Sequence, residues 1–372
     1  MGGVSVLLED ILGAIDYEKY NVDVLILHNN GDMLENLPSG VNILYGTKFF
    51  NVIDLPIKEV LATRHIKKII RKIKLVLYLK TGLINRKIKR QRKKILKKKY
   101  DVEIAFKDGF TAIFTANGDS TKKIHWLHSD YKYDNPNAKY KKLFPETYEK
   151  FDKIVGVSEG VAKHFNDIYG NSEKTIVIGN LVEANRITRC ARWKKEHEGD
   201  ELRIACVGRL HYYKGYDRLL HAAKRLKDED LLSKIKIDII GGGFERQALI
   251  NLKYQLKLGK HVEFLGDKVN PYRDIKDADF LMLPSRVESF GLVVVESQIL
   301  GIPVVATNCL SIEGLIENGK NGLIVENSTD GIYTGLKKMI VNRDLLSQFT
   351  ENLKAYHYDN EKIIKQLNDL FA

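Results

Sequence analysis

Twelve apolar runs of four to six residues, rich in Val and Ile, recur along this chain with helix-patterned segments between them. No other feature limits the fold as much. A strand covered on both faces reads as a continuous apolar run, and parallel neighbours need helical crossovers, so the alternation predicts buried parallel sheets. In the first half the runs are Val22–Leu27, Val41–Tyr45, Val102–Phe106, Lys123–Leu127, Lys153–Val157 and Thr175–Ile178. In the second they are Arg203–Val207, Lys236–Ile240, Val262–Leu265, Phe280–Leu283, Pro303–Ala306 and Gly322–Val325. Glu183–Glu201, polar and without apolar periodicity, separates the two sets as a linker. With 372 residues the chain is long enough for two cores. The expected architecture is α/β, two doubly wound Rossmann-like domains over residues 1–182 and 201–351, joined by 183–200 and closed by a helix in 352–372.

Composition removes other classes. The 7 Pro and 28 Gly are too few and too scattered for a collagenous or disordered chain. Cys190, Cys206 and Cys309 follow no metal-ligand or disulfide spacing. No run of 18 or more apolar residues exists to span a bilayer, and the first residues lack the basic and apolar regions of a signal peptide. Val6 stands where N-myristoylation needs Ser or Thr, so a cytoplasmic, non-acylated protein is expected.

The net charge of +12 is concentrated in one place. Residues 58–99 hold 18 Lys or Arg against the single acid Glu59, a local net of +17, leaving −5 for the remainder. Ile66, Ile69, Ile70, Ile73, Leu75, Leu77, Ile84, Ile88, Ile95 and Leu96 recur among these charges at the threes and fours of amphipathic helix. Such a face suits an anionic membrane surface; the plain alternative is a solvated helix pair. Nucleic acid would also be attracted, yet the chain carries no zinc-finger, RRM or helix-turn-helix signature.

The chemistry-bearing motifs follow strands of the second half. Arg203–Val207 runs into Gly208-Arg209-Leu210-His211-Tyr212-Tyr213-Lys214-Gly215, placing two cations and permissive glycines at a strand's carboxyl end, which suits a diphosphate. Gly241-Gly242-Gly243 follows Lys236–Ile240, an incomplete dinucleotide fingerprint because Arg246 takes the third glycine position. Each glycine turn taken alone is more often an ordinary loop closure. Phe280–Leu283 leads into Pro284-Ser285-Arg286-Val287-Glu288-Ser289-Phe290-Gly291-Leu292, then a helix whose first amides, at Gly291 and Leu292, lack intrahelical partners and favour phosphate. Glu296 sits within that apolar helix and needs a hydrogen-bond partner, a role a ribose diol or a neighbouring group would fill. If Glu288 and Glu296 share the helix, eight residues put them roughly 12 Å apart, beyond the 5–9.5 Å or so of paired glycosidase carboxylates. Asp277-Ala278-Asp279 precedes a strand and is not read as a metal site. Gly314-x4-Gly319-Lys320 fails as a P-loop because Asn321 replaces Ser or Thr.

Glu288 and Glu296 in a Glu-x7-Glu pattern, with Gly208-Arg209-Leu210, Lys214-Gly215, Gly241-Gly242-Gly243 and Glu288-Ser289-Phe290-Gly291-Leu292, resemble the family-4 retaining glycosyltransferases of the GT-B fold. The resemblance is dense from Arg203 to Val325 and looser upstream, where Trp126-Leu127-His128-Ser129-Asp130, Val157-Ser158-Glu159 and Gly179-Asn180-Leu181 look like acceptor-side segments. It implies sugar transfer from a nucleotide-diphosphate sugar across a cleft, with retention, to a glycan or lipid-linked acceptor. It further implies that Arg209, Lys214, Gly291 and Leu292 hold the diphosphate and that Glu296 binds the ribose. Glu288 would position the sugar and His128 would stand near it. No cofactor or metal is implied.

The opening departs from that pattern. Gly2 and Gly3 stand where the family has a glycine-rich loop, but no strand precedes them, and Ser5 to Ile15 already reads as helix. A chain missing part of its natural start is expected, with Val22–Leu27 left exposed along one edge. From another class, a non-catalytic nucleotide-sugar or RNA-binding protein would use the basic helices as its contact surface.

Overall fold

A computed structural model describes residues 3–28, 37–53, 55–133, 143–192 and 201–372. The chain divides into two compact units, Met1–Gly179 with Ile364–Ala372, and Asn180–Ile363. Both are α/β with parallel strands.

The first unit runs α1 (Gly3–Gly13), β1 (Val22–Ile26), β2 (Val41–Tyr45), α2 (Ile57–Ala62), α3 (Ile66–Lys80), α4 (Ile84–Ile95), β3 (Val102–Ala105), α5 (Phe110–Ala116), β4 (Lys122–Leu127), α6 (Leu143–Tyr148), β5 (Lys153–Gly156), α7 (Glu159–Tyr169) and β6 (Thr175–Val177). Ser158 caps α7 by accepting from the Val161 amide at 3.3 Å, and Gly170, at φ 69°, ends it. Trp126, Tyr148, Phe151, Ile154 and Phe165 form the centre of its core, each 1% exposed or less.

Its strands fall into two sheets among the described residues, β1-β2 and β3-β4-β5-β6. Among the described residues β1 pairs with β2 alone, and all five of its residues are only half-buried, as befits a strand with one open edge. Gly3 starts helix α1, so it does not form the expected glycine loop; Gly2 lies outside the described residues.

Part of the basic run is structural. Arg92 is buried, donating to both carboxylate oxygens of Glu103 at 2.7 and 2.8 Å and to the Phe114 carbonyl at 2.9 Å. Lys72 donates to the carbonyls of Val52 and Ile53, each at 3.0 Å. Helix periodicity marked the apolar face of these helices but not which cations would turn inward with it.

The second unit runs α8 (Ala184–Cys190), β7 (Leu202–Val207), α9 (Tyr216–Asp228), β8 (Ile235–Ile240), α10 (Arg246–Gln255), β9 (Val262–Gly266), α11 (Tyr272–Asp277), β10 (Phe280–Leu283), α12 (Leu292–Ile299), β11 (Val304–Thr307), β12 (Gly322–Val325), α13 (Thr329–Val341) and α14 (Arg343–Leu353). The last helix, α15 (Asn360–Phe371), leaves this unit and from Ile364 onward belongs to the first. Where a linker was expected, Glu183 caps α8 by accepting from the Asn185 and Arg186 amides, and Ile187 is buried. Residues 193–200 of that segment lie outside the described residues.

The six strands lie in the order β12-β11-β10-β7-β8-β9. Every residue of β10 and β11 is buried, which is why those runs carry no polar alternation. Leu219, Leu220, Ala223 and Leu226 of α9 pack with Ile332, Leu336 and Met339 of α13 in the core on this sheet.

Candidate functional site

In a doubly wound sheet the crevice opens at the carboxyl ends of the strands where the connections reverse direction. Here that point lies between β7 and β10. The loop after β7 and the loop after β10 meet there at close range. A Cβ on Gly215, whose φ is 69°, would stand 2.0 Å from the Pro284 carbonyl oxygen, so only glycine fits. On the other side, a Cβ on Gly241 would stand 2.0 Å from the Gly208 carbonyl oxygen. Gly241 thus lets the β8 loop lie against the backbone of Gly208 and Arg209. The Gly242 amide is already bonded to Asp267 at 2.7 Å.

Lys214 and Glu288, 74 residues apart, are brought into contact at this point. The Lys214 Nζ donates to Glu288 Oε1 at 2.5 Å, and the buried Ser285 hydroxyl donates to the same oxygen at 2.7 Å. Ser311 donates to the Glu288 carbonyl at 2.6 Å, which fixes the main chain as well. Burial, with Glu288 contributing, pushes the Cys309 thiol up to about 11 and holds the Tyr216 phenol well above its usual range.

The loops are braced from outside. Arg286 forms a bidentate pair with Asp217 at 2.6 and 2.7 Å, lowering the Asp217 carboxyl and raising the guanidinium. Arg218 donates to the Pro284 carbonyl at 2.7 Å and to Asn327 at 2.8 Å.

Glu288 precedes α12 in the loop, so the condition for the helix-rise estimate of its separation from Glu296 is not met and that estimate does not apply. Gly291, at φ 91°, caps α12, and its amide and that of Leu292 find no acceptor among the described residues. Glu296 accepts from the Tyr272 hydroxyl at 3.1 Å, so its hydrogen-bonding need is met within the protein by a residue just beyond β9. Arg209 is exposed and makes no ion pair among the described residues.

Ser311, Asp217 and Tyr272 carry no sequence signal because each acts on a partner 23 to 69 residues away, whereas Ser285 bonds Glu288 only three residues on, within the motif itself. Asp277 pairs with Arg203, and Asp279 accepts from the Arg203 amide at 2.8 Å, so both acids brace β7.

His128 belongs to the first unit. Its ring lies 4.8 Å from Phe106 and is stacked with Trp126, and burial lowers its pKa to about 4 against the opposing pull of Asp108, so it is neutral at pH 7. The nearby Asp108, unmarked in the sequence reading, accepts from the Tyr131 hydroxyl and faces His125 Nε2 at 3.3 Å. Asp130 accepts from His164 at 2.8 Å.

Residues 188–356 match the family described as glycosyl transferases group 1. The matched segment contains the β7, β8 and β10 loops and α12. An uncharacterized glycosyltransferase of Haemophilus influenzae is 33% identical over 226 residues, covering 58% of this chain and 60% of that protein. The lipopolysaccharide core biosynthesis glycosyltransferase LpsE of Rhizobium meliloti is 26% identical over 207 residues, 55% of this chain and 58% of that protein. The matches therefore span about 60% of the length of these relatives. Among solved structures, HepE of Anabaena in complex with UDP and glucose is similar with a TM-score of 0.70 and 17% identity, over 99% of this chain and 95% of that one. WaaG, a glycosyltransferase involved in lipopolysaccharide biosynthesis, gives 0.65 and 15% over 100% and 96%. The fold is that of the GT-B glycosyltransferases.

Proposed function

We propose that this chain is a retaining glycosyltransferase, drawing on a nucleoside diphosphate sugar and acting at the cytoplasmic face of a membrane on a glycan or lipid-linked acceptor. The observation that carries the reading is the Lys214–Glu288 contact, set where β7 and β10 diverge and just before the unpaired amides of α12. A diphosphate placed there meets the positive end of a helix and the Lys214 ammonium, with exposed Arg209 in the same loop as Lys214. Charge develops on the departing diphosphate as the sugar leaves, and fixed cations and amides aimed at it lower the barrier. Glu288 shares its carboxylate with Lys214 and Ser285, and its role is to orient the sugar hydroxyls. Glu296, bonded by Tyr272, offers its second oxygen to the ribose. His128, neutral at pH 7, stands as a hydrogen-bonding candidate on the first unit.

The complex of HepE with UDP and glucose supports UDP-glucose as the first donor to try. The LpsE and WaaG descriptions, which name lipopolysaccharide biosynthesis, support a glycan or lipid-linked acceptor. No helix among the described residues is long and apolar enough to cross one. Calorimetric titration with UDP-glucose and UDP-N-acetylglucosamine tests the donor half, and NMR of the product's anomeric proton tests retention. Absence of heat with every activated sugar, or an inverted product, refutes the corresponding half. Glu288→Ala separates a transferase, which loses turnover, from a pure binder, which keeps its affinity.

A further inference from the structure

The first unit carries a pocket of about 320 Å³ between the segment after β2 and helices α3 and α4. Its wall holds five cations, Lys48, Arg71, Lys74, Lys87 and Lys94, and no carboxylate. None of the five makes an ion pair among the described residues. Their neighbours behave otherwise: Arg92 and Lys72, on the same two helices, are satisfied by Glu103 and by carbonyls. Like charges gathered around one cavity repel, and an anion within it relieves that repulsion. The pocket is also built. Lys87 Nζ is held over the rings of Phe49 and Tyr78 at 5.3 and 5.5 Å, and Thr47 donates to the buried Gln91 at its floor.

A second observation sets the chemistry of what the anion is attached to. Ile66, Ile70, Ile73 and Leu77 of α3 are 72%, 45%, 57% and 57% exposed. At 100° per residue these four fall within an arc of about 60°, and Lys74, Tyr78 and Arg71 follow at roughly 80–140° round the same helix. An open apolar stripe therefore borders the cationic pocket along α3. Soluble phosphates have no use for such a stripe, and a purely apolar partner has none for five cations. An amphiphile with a phosphate head meets both.

We propose that this pocket takes the phosphate headgroup of an anionic lipid, with Ile66, Ile70, Ile73 and Leu77 lying in the apolar layer beside it. The inference rests on the membrane-side reading above and gives it a site. Sedimentation with phosphatidylcholine vesicles, with and without phosphatidic acid, is the test. The wild type should pellet only with phosphatidic acid. Lys74→Gln with Lys87→Gln should weaken that binding about 10-fold more than Lys89→Gln with Lys93→Gln, two exposed charges roughly 200–240° round α4 from Lys87. Ile70→Ser with Ile73→Ser should weaken it severalfold while leaving any binding of glycerol 1-phosphate unchanged. Equal loss in both lysine pairs would show a diffuse charge effect and overturn the pocket. An unaffected Ile variant, or full competition by glycerol 1-phosphate at stoichiometric amounts, would overturn the lipid. Titration of each variant with UDP-glucose keeps the two readings apart, since the donor loops lie in the other unit. Vesicle binding without donor heat sinks only the transferase reading, and donor heat without vesicle binding sinks only this one.

Discussion

Glu288 allows chemistry and stability to be separated by two substitutions. In Glu288→Ala the Lys214 ammonium and the Ser285 hydroxyl lose the acceptor they share. Breaking a fully buried pair costs about 3–5 kcal/mol, but the Lys214 side chain is 26% exposed and can turn to water, so roughly 2–3 kcal/mol is expected, about 1 of it from Ser285. Glu288→Gln keeps an acceptor oxygen of the same shape in the same place. It should cost about 1 kcal/mol or less in stability. Both variants should reduce sugar transfer by about 100-fold or more, because each removes the carboxylate charge proposed to orient the sugar. Hydrogen exchange of peptides covering β7 and β10 reads the local stability, and UDP release from UDP-glucose with lipid extract as acceptor reads the transfer. Transfer by Glu288→Gln within about twofold of wild type would refute the catalytic assignment. Equal loss of stability in both variants would refute the structural reasoning.

Three other outcomes follow from particular contacts. Gly215→Ala should destabilise the second unit by about 2 kcal/mol or more in the same exchange experiment, because its Cβ meets the Pro284 oxygen, whereas Gly301→Ala, at φ 74° with nothing within 4 Å, should cost only about 1. The His128 imidazole should not titrate above pH 5.5 or so by NMR. Since its folded pKa is about 4 and the unfolded value is 6.5, the unfolded chain takes up the extra proton, and stability should fall by at most about 3 kcal/mol as pH drops from 6.5 to 4. His128→Phe should flatten that slope; an unchanged slope refutes the assignment. Of the three thiols, buried Cys206 and Cys309 should resist a disulfide reagent in the native protein at pH 8, their pKa values being raised by burial, and Cys190 should react alone. Rapid modification of Cys309 would contradict its placement.

The strands were legible because each is a parallel, mainly apolar run, buried outright in β10 and β11 and half-buried in β1 and β6. All twelve lie within one residue of the apolar stretches that announced them, and Phe280–Leu283 and Gly322–Val325 coincide with β10 and β12. The positions of Arg209, Lys214, Gly291 and Leu292 at strand and helix ends were readable for a similar reason, since a loop's place follows from the elements it joins. Helix α8 was missed because its seven residues bury only Ile187, too little for an apolar periodicity to show. Whether Glu288 and Glu296 share a helix stayed open in the sequence because the α12 start depends on Gly291 in a left-handed conformation, a backbone choice that composition permits without requiring.

Local pattern thus determined what could be computed from neighbours in the chain: strand identity, helix faces, the concentration of positive charge in residues 58–99, and the loops that bear the reactive side chains. Tertiary structure alone decided which charges are spent and which are available. Lys214 meets Glu288 across 74 residues and Arg92 is consumed by Glu103, while Lys74 and Lys87 remain around an open pocket. Hydrogen bonds and ion pairs act over about 3–4 Å, a distance set by strand order and helix packing and not by separation along the chain.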